Sequence, residues 1–69
     1  MLTPAQRKAF QDSLATVNTV RPQLEYLERV AQSVPHIADD VSAMRTRLDY
    51  LQTMCETCLN VDAELRQSP

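Results

Sequence analysis

One stripe of apolar residues constrains this chain more than any other feature of its sequence. It runs from Ile37 to Leu65 in steps of four and three residues, the heptad spacing of helices that pack side by side. In heptad notation its d positions are Ile37, Met44, Leu51, Cys58 and Leu65, and its a positions are Val41, Leu48, Cys55 and Asp62. Eight of the nine positions are apolar or cysteine. The segment therefore predicts a helix that must bury one face against another helix.

A looser stripe of the same period precedes it. Its a positions are Phe10, Val17, Leu24 and Ala31, and its d positions are Ser13, Val20, Leu27 and Val34. Thr3, Pro4 and Gln6 have the order of an N-cap, a first helical proline and the third residue of a capping box. We expect helix 1 over about residues 4–32. Pro22, at the outward f position, either kinks it near residues 18–22 or divides it; the unbroken phase of the stripe favours one kinked helix.

The two stripes are separated by a short break at Ser33, Val34 and Pro35. Pro35 disfavours helical dihedral angles at Val34, and Ser33 is a candidate cap for the next helix. The pattern predicts a turn over about residues 33–35, helix 2 over about 35–66 and a frayed tail over 67–69. Because the helices are nearly equal in length and the connection is short, we expect one all-α domain over residues 1–69, an antiparallel, coiled-coil-like helical hairpin.

Composition narrows the function classes. The chain has no glycine, which disfavours tight β-hairpins, phosphate-binding loops and nucleophile elbows. Its net charge of −2 does not favour nucleic acid, and no apolar run approaches the length of a membrane span. The first residues do not resemble a secretory signal, so we expect a cytoplasmic protein with reduced thiols. No nucleophile has a visible base, so we expect no enzyme activity and no cofactor.

The apolar surface at the end of the hairpin away from the turn is too wide for one neighbouring helix to cover. We therefore expect a second chain to pack there and close a four-helix bundle, with a homodimer as the simplest arrangement and a subunit of a hetero-oligomeric complex as the alternative. The expected interface comprises Phe10, Leu14, Leu51, Met54, Cys55, Cys58, Leu59, Val61 and Leu65.

Three features carry possible chemistry. Cys55 and Cys58 form a CxxC; we interpret both as buried apolar residues, and a zinc site shared between two chains is the weaker alternative. His36 is expected to face solvent. Asp62, the one charge on the second stripe, is expected either to reach water near a frayed helix end or to fix the register or the choice of partner.

These patterns favour a small, non-enzymatic protein–protein interaction module: an adaptor, a co-chaperone, an assembly subunit or an inhibitor of a partner protein. Tyr26 and Tyr50 occupy outer c positions, and amphipathic aromatic residues are enriched at recognition surfaces. With Arg45 and Arg47 they are the candidate contacts for an unidentified protein partner. A regulatory bundle that binds nucleic acid through its arginines is a further alternative.

Overall fold

The computed structural model describes residues 1–67 and contains two long helices. α1 spans Pro4–Ala31 and α2 spans Pro35–Gln67. No strand occurs in this part of the chain, and the two helices pack against each other, which confirms the all-α two-helix prediction. Gln67, expected in the frayed tail, closes α2. The other two tail residues, Ser68 and Pro69, lie outside the described range.

The start of α1 is fixed by a reciprocal capping box. Thr3 has extended backbone angles, φ −69° and ψ 160°, and its hydroxyl oxygen accepts a hydrogen bond from the Gln6 amide at 3.1 Å. The Gln6 side chain accepts one from the Thr3 amide at 2.9 Å. Pro4, which has no amide hydrogen to satisfy, takes the first helical position. The backbone groups exposed at this helix end are thereby partnered locally.

α1 continues without interruption through Pro22. The proline is exposed, and its ring lies on the side of α1 that faces away from α2. A proline here removes one hydrogen-bond donor and crowds the carbonyl of Asn18, at a cost of about 3 kcal/mol in a helix interior. The packing of α1 along α2 on both sides of Pro22 holds the helix together despite that cost.

The turn is closed by hydrogen bonds to the last residues of α1. The amides of Ser33 and Val34 donate to the carbonyls of Val30 and Ala31 at 3.1 and 3.0 Å. The hydroxyl of Ser33 also donates to the Val30 carbonyl, at 2.8 Å. Ser33 therefore finishes α1, and the expectation that it caps α2 is wrong because its side chain turns back toward the preceding helix.

The buried core consists of a single row of side chains from each helix. Among residues 1–67, every buried side chain occupies an a position: Val17, Leu24, Ala31, Val41, Cys55 and Asp62. Leu24, Ala31 and Val41 form its apolar cluster. The molecule is a rod of 55 × 15 × 13 Å, so it has no interior beyond this one seam.

Polar contacts between the helices set their register. Arg45 of α2 pairs with Glu28 of α1, and Arg21 donates to Gln52. All four residues occupy e positions, and the second pair lies one heptad along both helices from the first. The alignment is therefore antiparallel and in step. It places Leu24 level with Leu48 at a, and by the same count Val20 level with Leu51 at d.

Replacing Pro22 with alanine is expected to stabilise the hairpin. The substitution restores a backbone donor on an exposed surface and removes the crowding, a gain of about 3 kcal/mol, less up to about 1 kcal/mol because the unfolded chain becomes more flexible. Urea unfolding followed by circular dichroism measures the difference. Gln11→Ala, at an exposed position of the same helix, is the control and should change the free energy of unfolding by only a few tenths of a kcal/mol. An unchanged midpoint for Pro22→Ala would mean that α1 gains nothing from an unbroken backbone ladder.

Candidate functional interface

One long side of the hairpin is apolar and uncovered. Because the buried residues of this antiparallel pair are all at a, the d and g positions of both helices lie on one side of the seam and the e positions lie on the other. We call the d and g side the open face. It carries eight large apolar side chains that are 37–53% exposed: Val20, Leu27, Val30, Met44, Leu51, Met54, Val61 and Leu65.

The open face widens into a groove where the chain begins. The groove has a volume of about 280 Å³. It is lined by Met1, Leu2, Thr57, Cys58, Val61, Asp62 and Leu65. Most of this lining is apolar, so the groove continues the open face to the end of α2.

The opposite side of the seam is closed by polar contacts. Arg21 donates to Asp49 at 2.8 Å as well as to Gln52, and Arg45 donates to Glu28 at 2.9 Å. The Glu28 carboxylate raises the pKa of Arg45, chiefly through this hydrogen bond. We call this the paired face. Its charges already have partners within the chain, whereas the apolar residues of the open face have only solvent.

A buried carboxylate joins the first residues of the chain to the end of α2. Asp62 accepts hydrogen bonds from Arg7 Nε and from the Leu2 amide, both at 2.8 Å. Arg66 Nε lies 3.0 Å from the same carboxylate, and Arg7 also donates to the Leu2 carbonyl at 3.3 Å. The Asp62 side chain is 1% exposed. One carboxylate therefore holds the residues before α1, the first turns of α1 and the last turn of α2 together.

The register explains why a charge is tolerated at this seam position. Continuing the e pairs along the hairpin brings Arg7 level with Arg66, two like charges that would repel each other. Asp62 lies between them, pairs with both and reduces their mutual repulsion. The hydrogen bond from Arg7 is the largest cause that lowers the pKa of Asp62 from 3.8 to about 2. The expectation that Asp62 reaches water at a frayed end is wrong, because α2 continues to Gln67 and because Leu2 and Arg7 cover the carboxylate.

The structure divides the nine expected interface residues between two environments. Five lie on the open face: Leu51, Met54, Cys58, Val61 and Leu65. Phe10 and Cys55 occupy the seam between the two helices of the hairpin, and Leu14 and Leu59 lie half-buried at e positions on the paired face. The open face also carries Val20, Leu27, Val30 and Met44, which were not among the expected interface residues; their d and g spacing identifies them only once a rather than d is known to be buried.

The two cysteines have different surroundings. Both are free thiols; Cys55 is buried in the seam and Cys58 lines the groove. Within residues 1–67, no group of three or more histidine, cysteine, aspartate or glutamate side chains is placed to hold a metal ion. His36 is exposed at the start of α2. The Cys58 thiol is thus part of the open face, and Cys55 is part of the hairpin's own core.

The candidate partner contacts lie at the surface. Tyr26 and Tyr50 are 63% and 67% exposed at c positions, which border the open face on the outer edge of each helix. The Arg29 guanidinium lies 5.8 Å from the centre of the Tyr26 ring, which orients that ring. Arg45 is committed to Glu28, and Arg47 is exposed at a g position. These four residues do not converge on a common pocket; they flank the two sides of the rod.

Comparison with models of known protein families, with curated proteins and with solved structures found no match. Neither helix within residues 1–67 combines the length and hydrophobicity needed to cross a bilayer. The inference of function therefore starts from the geometry of the open face and the paired face.

Asp62 makes the stability of the hairpin depend on acid. A carboxyl whose pKa is lower in the folded than in the unfolded state stabilises the fold above its unfolded pKa, so this contribution is lost as the pH falls from about 4 to about 2. Asp62→Asn is therefore expected to lower the urea midpoint clearly at pH 7 and hardly at all at pH 2. Asp12→Asn, which removes an exposed pair with Lys8, is the control and should have little effect at either pH. An equal loss for Asp62→Asn at both pH values would contradict the proposed role of the ionised carboxylate.

Proposed function

We propose that this protein is a small, non-enzymatic protein–protein interaction module that acts as a homodimer of helical hairpins. The open faces of two copies pack together and complete a four-helix bundle. The observation that carries the proposal is the confinement of eight exposed large apolar side chains to the d and g side of an antiparallel pair. On an isolated rod these side chains stay 37–53% exposed, although they keep the heptad spacing of a buried seam.

The size of the open face supports a stable association. The rod is 55 Å long and 15 Å wide, which offers each partner an area on the order of 800 Å², the amount each side of a standard protein interface buries. Fully burying one leucine, valine or methionine side chain is worth about 1.5–3 kcal/mol. The eight side chains on each copy are already about half covered, so each gains only part of this amount, but together they supply a driving force that a chain with only one internal seam otherwise lacks.

A second copy fits the open face for a further reason. A two-fold axis brings identical surfaces together, so the apolar open face of one copy meets the apolar open face of the other and the assembly closes without a new exposed edge. The alternative is a different helical chain on the same face, which would make this protein an obligate subunit of a hetero-oligomeric complex. The same apolar residues would then be buried, but the isolated chain would remain monomeric.

In the bundle, recognition of a protein partner falls to the outer surfaces. Tyr26 and Tyr50 lie at the rim and keep one edge in water, and exposed aromatic side chains of this kind contribute strongly to protein interfaces. Arg47 lies three residues before Tyr50 on α2 and adds positive charge beside it, and Arg45 is available on the paired face, where it pairs with Glu28. The dimer would thus serve as a rigid scaffold for an adaptor, a co-chaperone, an assembly subunit or an inhibitor, acting by occupying a partner's surface rather than by catalysis.

Binding of nucleic acid is less well supported. Arg7, Arg21, Arg45 and Arg66 all pair with carboxylates of the same chain, and Lys8 pairs with Asp12. Contacts to phosphates would have to compete with these pairs in a protein whose net charge is −2.

Leu51→Glu is expected to convert the homodimer into a monomer. The substitution places a charge at the middle of the open face, where burial would cost more than the interface returns. Size exclusion with light scattering should give twice the chain mass for the wild type and a single chain mass for the variant. Thr53→Glu adds the same charge two residues away at the outward f position and should remain dimeric. Met54→Glu, at a g position, provides a second test if Leu51→Glu lowers the helical content measured by circular dichroism.

A wild-type protein that is monomeric at all accessible concentrations and fully helical would contradict the proposal. A monomer that is poorly folded alone and gains helical structure with a co-expressed chain would replace the homodimer with the hetero-oligomeric alternative.

A further inference from the structure

We propose that the two hairpins of the dimer pack with their turns at opposite ends, around a two-fold axis that crosses the level of Val20 and Leu51. We call this the opposite-end dimer. In it α1 lies against α1 of the second copy, and α2 lies against α2. The inference rests on the proposed homodimer, and it specifies which surface of a second copy each part of the open face takes.

The open face is not uniform along its length, because its d residues form levels of different size. The register places one d residue of α1 beside one of α2 at each level. From the turn outward the levels are Leu27 with Met44, Val20 with Leu51, Ser13 with Cys58, and Gln6 with Leu65. The first level from the turn therefore holds two long side chains, and the third holds two of the smallest.

The opposite-end dimer pairs these unequal levels in a complementary way. With the axis at Val20 and Leu51, that middle level meets its own copy. Leu27 of one chain then faces Ser13 of the other, and Met44 faces Cys58. In these layers each large side chain meets a small one, so their total volume stays closer to that of the middle layer, as close packing requires.

One pair of g positions on α1 follows the same rule. Val30 of one chain faces Ala9 of the other, again a larger residue against a smaller one. Arg47 lies beside Met54 of the second copy, where its aliphatic stem can pack while the guanidinium reaches water. Neither charged g residue of α2, Asp40 or Arg47, meets a like charge.

The arrangement with both turns at the same end lacks this complementarity. Every level would then meet its own copy, so the Ser13 and Cys58 level would place four small side chains together and leave a void. The Leu27 and Met44 level would place four long side chains in a layer of the same width. Voids and crowded layers both destabilise a core.

The distance between the two turns distinguishes the arrangements. A spin label at Ser33→Cys, in a chain whose native thiols are replaced by Cys55→Ala and Cys58→Ala, marks each turn. Ser33 lies about 20 Å along the helix axis from the level of Val20, so the opposite-end dimer predicts about 40 Å between the two labels in a pulsed dipolar measurement. Labels in the same-end dimer would be less than about 25 Å apart, because only the width of the bundle separates them.

A label at Asn18→Cys in the same background is the matched control. Asn18 lies near the level of the axis, so its two labels are within about 30 Å of each other in either dimer. A short Asn18 distance with a long Ser33 distance supports the opposite-end dimer. Short distances at both positions overturn that orientation and leave the homodimer intact. A single chain mass by light scattering, with no dipolar signal from either label, overturns the homodimer and with it this inference.

Discussion

A pair of helices can bury only the surface along one line of contact, and this limit shapes the whole molecule. Each helix here has an apolar stripe that is wider than one contact line. The a residues lie on the contact line, as the burial of Val17, Leu24 and Val41 shows. The d residues beside them, such as Leu51, are left partly in water. Everything inferred about function follows from that unfilled side, because the hairpin has no enclosed cavity and no cluster of reactive groups within residues 1–67.

The two sides of the seam differ: one carries polar pairs between the helices, and the other carries exposed apolar side chains. On the paired face Glu28, Arg21 and their partners on α2 satisfy each other at the surface. Such exposed pairs add little stability, but they fix the register and make that side unattractive to another apolar surface. The proposed association is thereby directed to the open face. A helix pair with both sides apolar would instead offer two routes to aggregation.

Asp62 shows how a polar group can end an apolar seam. It lies near the end of α2, where two arginines approach, and it binds both of them together with the Leu2 amide. An apolar residue at this position would leave Arg7 and Arg66 facing each other without a counter-ion. The cluster also holds Met1 and Leu2 against α2, so the residues before α1 become part of the wall of the groove.

The sequence by itself determined the two helices, the capping box at Thr3 and Gln6 and the short turn, because heptad spacing, capping and proline effects act over a few neighbouring residues. It also identified part of the open face through Leu51, Met54 and Val61. Only the tertiary structure decided which apolar residues the hairpin keeps for itself. Cys55 is buried between the two helices of the hairpin, and Leu14 and Leu59 are half-buried. Val20, Leu27 and Met44 are exposed on the open face. The sequence also did not show that Asp62 pairs with Leu2 and Arg7, because these residues lie 60 and 55 positions before it in the chain. The physical reason is the same in each case: the rotation of one helix about its axis, which selects a over d for burial, depends on the partner helix and is not a property of either stripe alone.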